Sequence, residues 1–257
     1  MLAFLKEPGF DSVPVGSPRY FRLQRELIQR RPLMKYCYDT WYAKLRKAAG
    51  EENLRPGLTL ELGSGGSLLR EVVPGLITSD VVEGVADRVI DARSLPFASQ
   101  SLGAIFLTHV CHHIPDAGKF LEEAARVLKP NGVIAMIEVA HTPFARFFFD
   151  HFHPEPYDDT ARRWEFDQHD SMMDSNQALS WIVFKRDAAR FAERFPQFVV
   201  EPTEWLPWFT YLMSGGVTMR NLVPGFLVGP SKLCEWILRP ISPLASLHWL
   251  IVLRKRG

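Results

Sequence analysis

The amino-acid sequence predicts an α/β protein built on a doubly wound, mostly parallel sheet, and three observations carry the prediction. From Leu58 to Val139, short β-prone runs (GLTLEL, LITSDVV, DRVIDA, LGAIFLTHV, VIAMIEV) alternate with turns and one amphipathic helical segment, the pattern that covers a parallel sheet with helices. The first run ends in a glycine-rich loop, ELGSGGS, and acids stand at the ends of the next two, Asp80 and Asp91. In such sheets ligands sit at the carboxyl ends of the strands. A chain of 257 residues with 47% hydrophobic composition is also long enough to bury a sizeable core, as one embellished domain or two.

Bulk properties narrow the function classes. Lys+Arg at 30 against Asp+Glu at 29 leaves a formal charge of +1, so composition gives no basic footprint for nucleic acid. Cys37, Cys111 and Cys234 are odd in number and widely spaced, which fits a reducing cytosol better than a disulfide framework. The opening MLAFLKEPGFDSVP lacks a basic segment followed by a sufficient apolar run, so no signal peptide is expected. Lys232, Glu235 and Arg239 interrupt the most apolar C-terminal stretch, so no spanning helix is expected either.

The elements follow in order. Ser17-Pro18 is a capping residue followed by proline, and it opens a helix to about Arg31. Pro32 punctuates, and Tyr38, Trp41, Tyr42 and Leu45 then repeat at helical spacing up to Gly50, a stripe better suited to core packing than to covering a ligand. Residues 1–50 thus read as a helical N-terminal cap on a domain spanning 51–257. Within that domain, Phe120, Leu121, Ala124, Val127 and Leu128 mark one face of a helix stopped by Pro130-Asn131-Gly132. Residues 141–186 are aromatic, His- and Asp-rich and without clean periodicity, an irregular insertion of the kind that shapes substrate pockets. Asp187 is placed to cap a helix ending at Pro196, QFVVEPTEWLPWF reads as a strand, GFLVGPSKLCEWILRP as a helix and LHWLIVLRKR as a final strand.

The glycines bear on ligand chemistry. A strand running into Gly63, Gly65 and Gly66 lets backbone approach a ligand closely, and a helix starting near Ser67-Leu68 would aim free N–H groups at it. The dinucleotide fingerprint G-x-G-x-x-G requires glycine at position 68, where leucine stands. Asp80 at the second strand end can accept from ribose hydroxyls, and Asp91 one strand on can accept from an exocyclic amine. Two acids without a basic clamp point to a ligand with ribose and adenine but no phosphate.

Taken together, ELGSGGS, SDVV and VIDARSLPFASQSLGAIFLTHVCHHIPDAGKFLEEAARVLKPNGVIAMIEV resemble the class I methyltransferases that use S-adenosylmethionine, in particular the quinone-biosynthesis-like, type 11 subgroup. The resemblance implies a Rossmann-like, seven-stranded sheet with an antiparallel last strand and an insertion after strand five. It implies S-adenosylmethionine as cofactor, with Glu61, Gly63, Ser64 and Gly65 beside its methionine part, Asp80 and Val81 at the ribose, Asp91 and Ala92 at the adenine edge, and Thr108 and His109 lining the end of strand four. The chain departs from the family pattern at Ser67, where a third alternate glycine is usual, and at Gly103, where an acid often stands. The few residues between the second and third strands also leave no room for the usual crossover helix.

Methyl transfer needs an acceptor atom held in line and, for oxygen or nitrogen, a group to take its proton. His113 and His153 are the candidate general bases. Glu138, near the end of strand five, either points into the site or caps a turn. His151 and His153 form an H-x-H that would place both rings on one side of an extended segment, but with no cysteine joining them no metal is expected. The expected acceptor is a small or lipid-linked molecule, and the expected location is cytoplasmic. The apolar segment NLVPGFLVGPSKLCEWILRPISPL, with Lys232 and Arg239, is a candidate peripheral membrane contact. A nicotinamide-dependent oxidoreductase and a catalytically silent interaction module are the competing readings.

Overall fold

The computed structural model describes residues 7–10, 12–169, 172–217 and 219–257. Residues 1–6 and 11, on which part of the signal-peptide reading falls, lie outside them. Two helices come first, α1 (Pro18–Arg30) and α2 (Pro32–Ala49), and the Ser17 hydroxyl accepts from the Tyr20 N–H as the expected cap. The sheet is built from β1 (Thr59–Leu62), β2 (Ile77–Asp80), β3 (Arg88–Val89), β4 (Leu102–Thr108), β5 (Leu128–Val139), β6 (Phe198–Val200), β7 (Glu204–Trp205) and β8 (His248–Lys255). Its order is β3-β2-β1-β4-β5-β8-β6, with β7 also paired to β8. β1 to β5 are mutually parallel, whereas β8 runs antiparallel to β5, β6 and β7. The single strand expected over QFVVEPTEWLPWF is therefore two short ones, interrupted at Pro202.

Both faces of the sheet are buried, which is why its central strands read as continuous apolar runs. Ile105, Leu107, Ile134 and Met136 face one core with α3 (Ala117–Val127), α6 (Ala188–Arg194) and α5 (Leu179–Trp181), which continues as a π-helical turn to Arg186. Ala104, Phe106, Val133, Ala135 and Ile137 face the other core, under α2. The register along β4 and β5 is broken once: Leu102 pairs with Leu128 and pairing resumes at Ala104–Val133, so Lys129–Gly132 bulges out and Asn131 takes φ +64°. The helix α3 consequently ends at Val127 and passes directly into β5.

Two expectations are corrected. The helix expected from Ser67-Leu68 is only a 3₁₀ turn, Leu69–Glu71, because Pro74-Gly75 ends the segment within a few residues. Its place on the sheet is taken by α2, whose Trp41, Tyr42 and Leu45 are wholly buried with Leu69, Val73 and Leu76. The region expected to be irregular opens with a helix, α4 (Pro143–Phe152), capped by the Thr142 hydroxyl on the Ala145 N–H. The expected absence of a helix between β2 and β3 is what the structure has, since Val81–Asp87 is a turn. Asp187 stands at the N-cap of α6, yet its carboxylate is engaged by Arg186 and by Trp164 Nε1. The chain then continues through α7 (Phe209–Ser214), α8 (Val228–Leu238) and α9 (Ser242–Ala245) into β8. No described helix is long and apolar enough to cross a membrane.

Candidate active site

A cleft of about 680 Å³ opens at the carboxyl ends of β1, β2 and β4, a volume suited to a small organic ligand. It is lined by Gly63, Ser64, Gly65, Asp80, Val81, Asp91, Ala92, Thr108, His109, His113 and His153. Glu61 is the one residue of the expected set that does not line it. Its side chain lies behind the glycine loop, where Oε1 accepts from the Ser67 hydroxyl at 2.6 Å and burial pushes its carboxyl up to about 7.

The glycine loop is bare for reasons the structure makes specific. Gly63 has φ +59° and a Cβ there would sit 2.5 Å from the Val110 side chain; Gly65 has φ +44° and its Cβ would press the Phe21 ring at 3.0 Å. The loop is thus held between α1 and the turn after β4 as well as beside the cleft. Asp80 fastens it from below, accepting from the Gly65 N–H through Oδ2 and the Val82 N–H through Oδ1, both at 3.0 Å. Burial raises the pKa of Asp80, and the two N–H donors oppose that rise. Tyr38 and Tyr42 of α2 and Tyr20 and Phe21 of α1 also line the cleft, so part of the aromatic stripe borders it while packing in the core as expected.

At the adenine edge the expectation of acids without a basic clamp is corrected. Arg93 lines the cleft and forks Asp91, with Nη2 to Oδ2 at 2.7 Å, holding that carboxyl below its ordinary pKa. A ligand amine at Asp91 therefore competes with a guanidinium whose charge is already spent on the same carboxylate.

The other end of the cleft is a cluster of imidazoles and carboxylates. β4 ends at Thr108, His109 turns the chain at φ +58°, and a 3₁₀ turn presents Cys111, His112 and His113. Glu138 of β5 does not line the cleft and caps the turn from behind it: Oε1 accepts the Val110 and Cys111 N–H groups at 2.9 and 2.8 Å, while Oε2 pairs with His112 Nδ1 at 2.6 Å. A carboxylate in that position accepts a hydrogen bond from Nδ1–H and leaves His112 Nε2 as an acceptor. His113 Nε2 lies 3.4 Å from Glu155 Oε2, which also accepts from Ser175 and Gln177. Burial pushes the His112 and His113 imidazoles down to about 3 and the Glu155 carboxyl up to about 7. Both rings are neutral near pH 7, the state in which imidazole accepts a proton.

His153 lines the cleft at the end of α4, where its Nδ1 accepts from the Glu155 N–H at 3.4 Å. His151 lies in the last turn of that helix, its Nδ1 on the Phe147 carbonyl, so the H-x-H pair is not extended and does not converge. Among the described residues the grouping close enough for a divalent cation is His112, His113 and Glu155, with ligand atoms within 4.8 Å of one another. Imidazole–carboxylate hydrogen bonding accounts for the same proximity.

Sequence reasoning missed His248 and Gln177. His248 opens β8, lines the cleft and packs edge-on to His109 at 4.6 Å and Tyr211 at 4.5 Å. The only local signal was a histidine at the head of an apolar strand. Among the described residues, five buried polar atoms of the cleft lining have no protein partner: Thr108 Oγ1, His109 Nε2, His113 Nδ1, Gln177 Oε1 and His248 Nδ1. Buried polar atoms are ordinarily satisfied, and these five lie together where a bound group could reach them.

Comparison with known proteins agrees with the geometry. Residues 60–136 match a family model described as a methyltransferase domain. The chain is 28% identical over 92 residues to the ubiquinone/menaquinone biosynthesis C-methyltransferase of Desulfotalea psychrophila, covering 34% of this chain and 37% of that protein. It is 38% identical over 61 residues to the methyltransferase GfsG of Streptomyces halstedii, covering 22% of each. The chain therefore spans well under half the length of these curated relatives. Among solved structures, geranyl diphosphate C-methyltransferase from Streptomyces coelicolor superposes with a TM-score of 0.50 at 13% identity, over 98% of this chain and 89% of that one, a likeness of fold. Residues 60–136, in the parallel half of the sheet, are thus similar in sequence to a methyltransferase domain.

Proposed function

We propose that the cleft transfers a methyl group from S-adenosylmethionine to an oxygen, nitrogen or carbon atom of a small or lipid-linked acceptor. The observation that carries this reading is the polarity of the cleft along its length: bare loop and Asp80 at one end, and unpartnered polar atoms with two carboxylate-backed imidazoles at the other.

The residues fit the cofactor by chemistry. Asp80 lines the cleft and each of its oxygens keeps a further lone pair for a ribose hydroxyl. Gly63, Ser64 and Gly65 offer side-chain-free approach for the amino-acid tail, Val81, Asp91 and Ala92 flank the base, and Thr108 and His109 face the sulfur end. The segment after the loop has no helix N-terminus to receive a diphosphate: only the 3₁₀ turn follows, and the buried Leu68 donates its N–H to Tyr42 Oη at 3.0 Å. This disfavours a dinucleotide.

When bound, the sulfonium supplies an electrophilic methyl group. The chain contributes positioning, exclusion of water by Tyr20, Phe21, Tyr38 and Tyr42, and proton acceptance. His113, whose Nδ1 is unpartnered, takes the proton that an oxygen or nitrogen acceptor loses, with Glu155 behind its Nε2. His112, fixed by Glu138, holds the adjacent ring 4.4 Å away and is a second acceptor that sequence reasoning passed over. His153 is the weaker base here, because its Nδ1 lone pair already receives the Glu155 N–H. Phe148, Phe149, Phe152 and Leu212 line the cleft beyond the imidazoles and suit an acceptor with an apolar body. Single-turnover methyl transfer across a panel of phenolic, amine and lipid-linked acceptors tests the reaction, and tight S-adenosylhomocysteine binding without turnover on any of them would favour the silent module.

A further inference from the structure

We propose that the face formed by Leu222 to Leu244 docks on an anionic lipid surface, with the mouth of the cleft turned toward it. The proposal rests on the methyl-transfer reading only for what enters the mouth; the docking itself does not require it.

The apolar face is continuous. Leu233, Trp236 and Ile237 stand at i, i+3 and i+4 on α8, and Ile241 and Leu244 prolong the row through α9. All five are exposed, Trp236 by 70%, and Phe226 just ahead of α8 is exposed by 80%. Side chains of this size left in water over adjacent turns mark an interaction surface rather than scattered surface residues.

Within this segment the outward charge has one sign. Between residues 220 and 247 the Arg, Lys, Asp and Glu side chains are Arg220, Lys232, Glu235 and Arg239. The three basic residues are exposed. The single acid is turned inward, 8% exposed, where it accepts the Trp208 and Thr210 N–H groups at the start of α7. Aromatic and aliphatic side chains rimmed by Lys and Arg are the makeup of a helix lying in a lipid interface, and the absence of an outward acid complements an anionic headgroup layer.

The face also reaches the cleft. Leu222 and Phe152 line the cleft and are nevertheless 53% and 40% exposed, so they stand at its mouth. Leu222 begins the apolar segment, and Phe152 ends α4, which packs against α9. An amphiphilic acceptor with a hydrocarbon tail would pass from the lipid layer over Leu222 and Phe152 to the imidazole cluster, leaving water only at its polar head.

Flotation of the purified full chain with vesicles tests this. Vesicles of equal parts phosphatidylcholine and phosphatidylglycerol should carry the protein, and pure phosphatidylcholine should hold it about tenfold less well. Phe226→Ser with Trp236→Ser should weaken binding to the anionic vesicles by about tenfold or more. Lys232→Glu with Arg239→Glu, at solvated side chains, should do the same without any loss of apolar area. Both variants should bind S-adenosylhomocysteine like the parent, which checks their folding. A parent chain that stays with the aqueous fraction overturns the docking, as do variants that float unchanged. Concentration-dependent self-association abolished by Phe226→Ser with Trp236→Ser, in a chain that ignores vesicles, would assign the face to a second copy and also overturn it. Vesicle binding without S-adenosylhomocysteine binding would sink the methyl-transfer reading and leave the docking standing.

Discussion

Glu138 Oε2 and His112 Nδ1 lie 2.6 Å apart in the cleft wall, both side chains all but sealed from solvent, while the other oxygen of Glu138 holds the N–H groups of Val110 and Cys111. One carboxylate therefore fixes the turn that carries His112 and His113 and sets the tautomer of His112. Glu138→Gln replaces it with a group whose amide nitrogen cannot accept. Turnover should fall about 100-fold or more, and stability by about 1–3 kcal/mol for the unpaired buried groups. The S-adenosylhomocysteine affinity should change far less. Single-turnover rates, denaturant melts and calorimetry on one preparation check the three parts.

Asp80 supports the cofactor end in a comparable way. Asp80→Ala removes the acceptor for Gly65 and Val82 N–H and should cost about 1–3 kcal/mol of stability. S-adenosylhomocysteine affinity should drop more than about tenfold, since a ribose contact is lost together with the loop's anchor. Glu61→Gln, behind the loop, should have a much smaller effect on affinity. Equal losses in the two variants would contradict the placement of Asp80 at the ligand.

The acids near the site give a stability trend opposite to ordinary acid unfolding. Burial raises Glu155 and Glu61 from 4.5 to about 7 in the folded chain. Between those values the folded state holds more protons than the unfolded one, so their contribution to stability declines as pH rises through the window. The difference in melting temperature between the parent and Glu155→Gln should therefore shift in the variant's favour from pH 4.5 to pH 7. Turnover should move the other way, rising as Glu155 ionises behind His113, and Glu155→Gln should flatten that rise. A pH–rate profile equally steep in both proteins would remove Glu155 from the mechanism.

Trp41 tests how α2 substitutes for the helix expected after the glycine loop. It is wholly buried between Tyr211, His109 and His248 at ring distances of 5.3, 5.4 and 5.1 Å. Trp41→Ala should destabilise the chain by about 3–5 kcal/mol in denaturant melts. Because the same cavity borders His109, it should also weaken cofactor binding, whereas Phe191→Ala in the opposite core should cost stability alone.

Much of this was legible in the sequence because it rests on local pattern. The strands β1, β4, β5 and β8 are apolar runs, α3 is a clean amphipathic helix, and the glycine loop with Asp80 and Asp91 marks the cleft floor. What escaped depends on long-range packing. Nothing local says that Pro74-Gly75 would reduce the next helix to one turn and that α2 would cover the gap, or that Arg93 would fold back on Asp91. Gln177 and His248 enter the site from segments about 65 and 135 residues downstream of the His112-His113 turn, His248 through the pairing of β8 with β5. His153 was well placed in space but not in hydrogen bonding, a distinction that spacing cannot carry.

The central claim is that the cleft holds an adenosine bearing an amino-acid tail rather than a diphosphate. Calorimetric titration of the full chain with S-adenosylhomocysteine and, separately, with NAD tests it most directly. The account predicts saturable one-to-one binding of S-adenosylhomocysteine that Asp80→Ala weakens, and no heat of binding from NAD. Binding of NAD in preference, or of neither ligand by a chain that melts cooperatively, would contradict it.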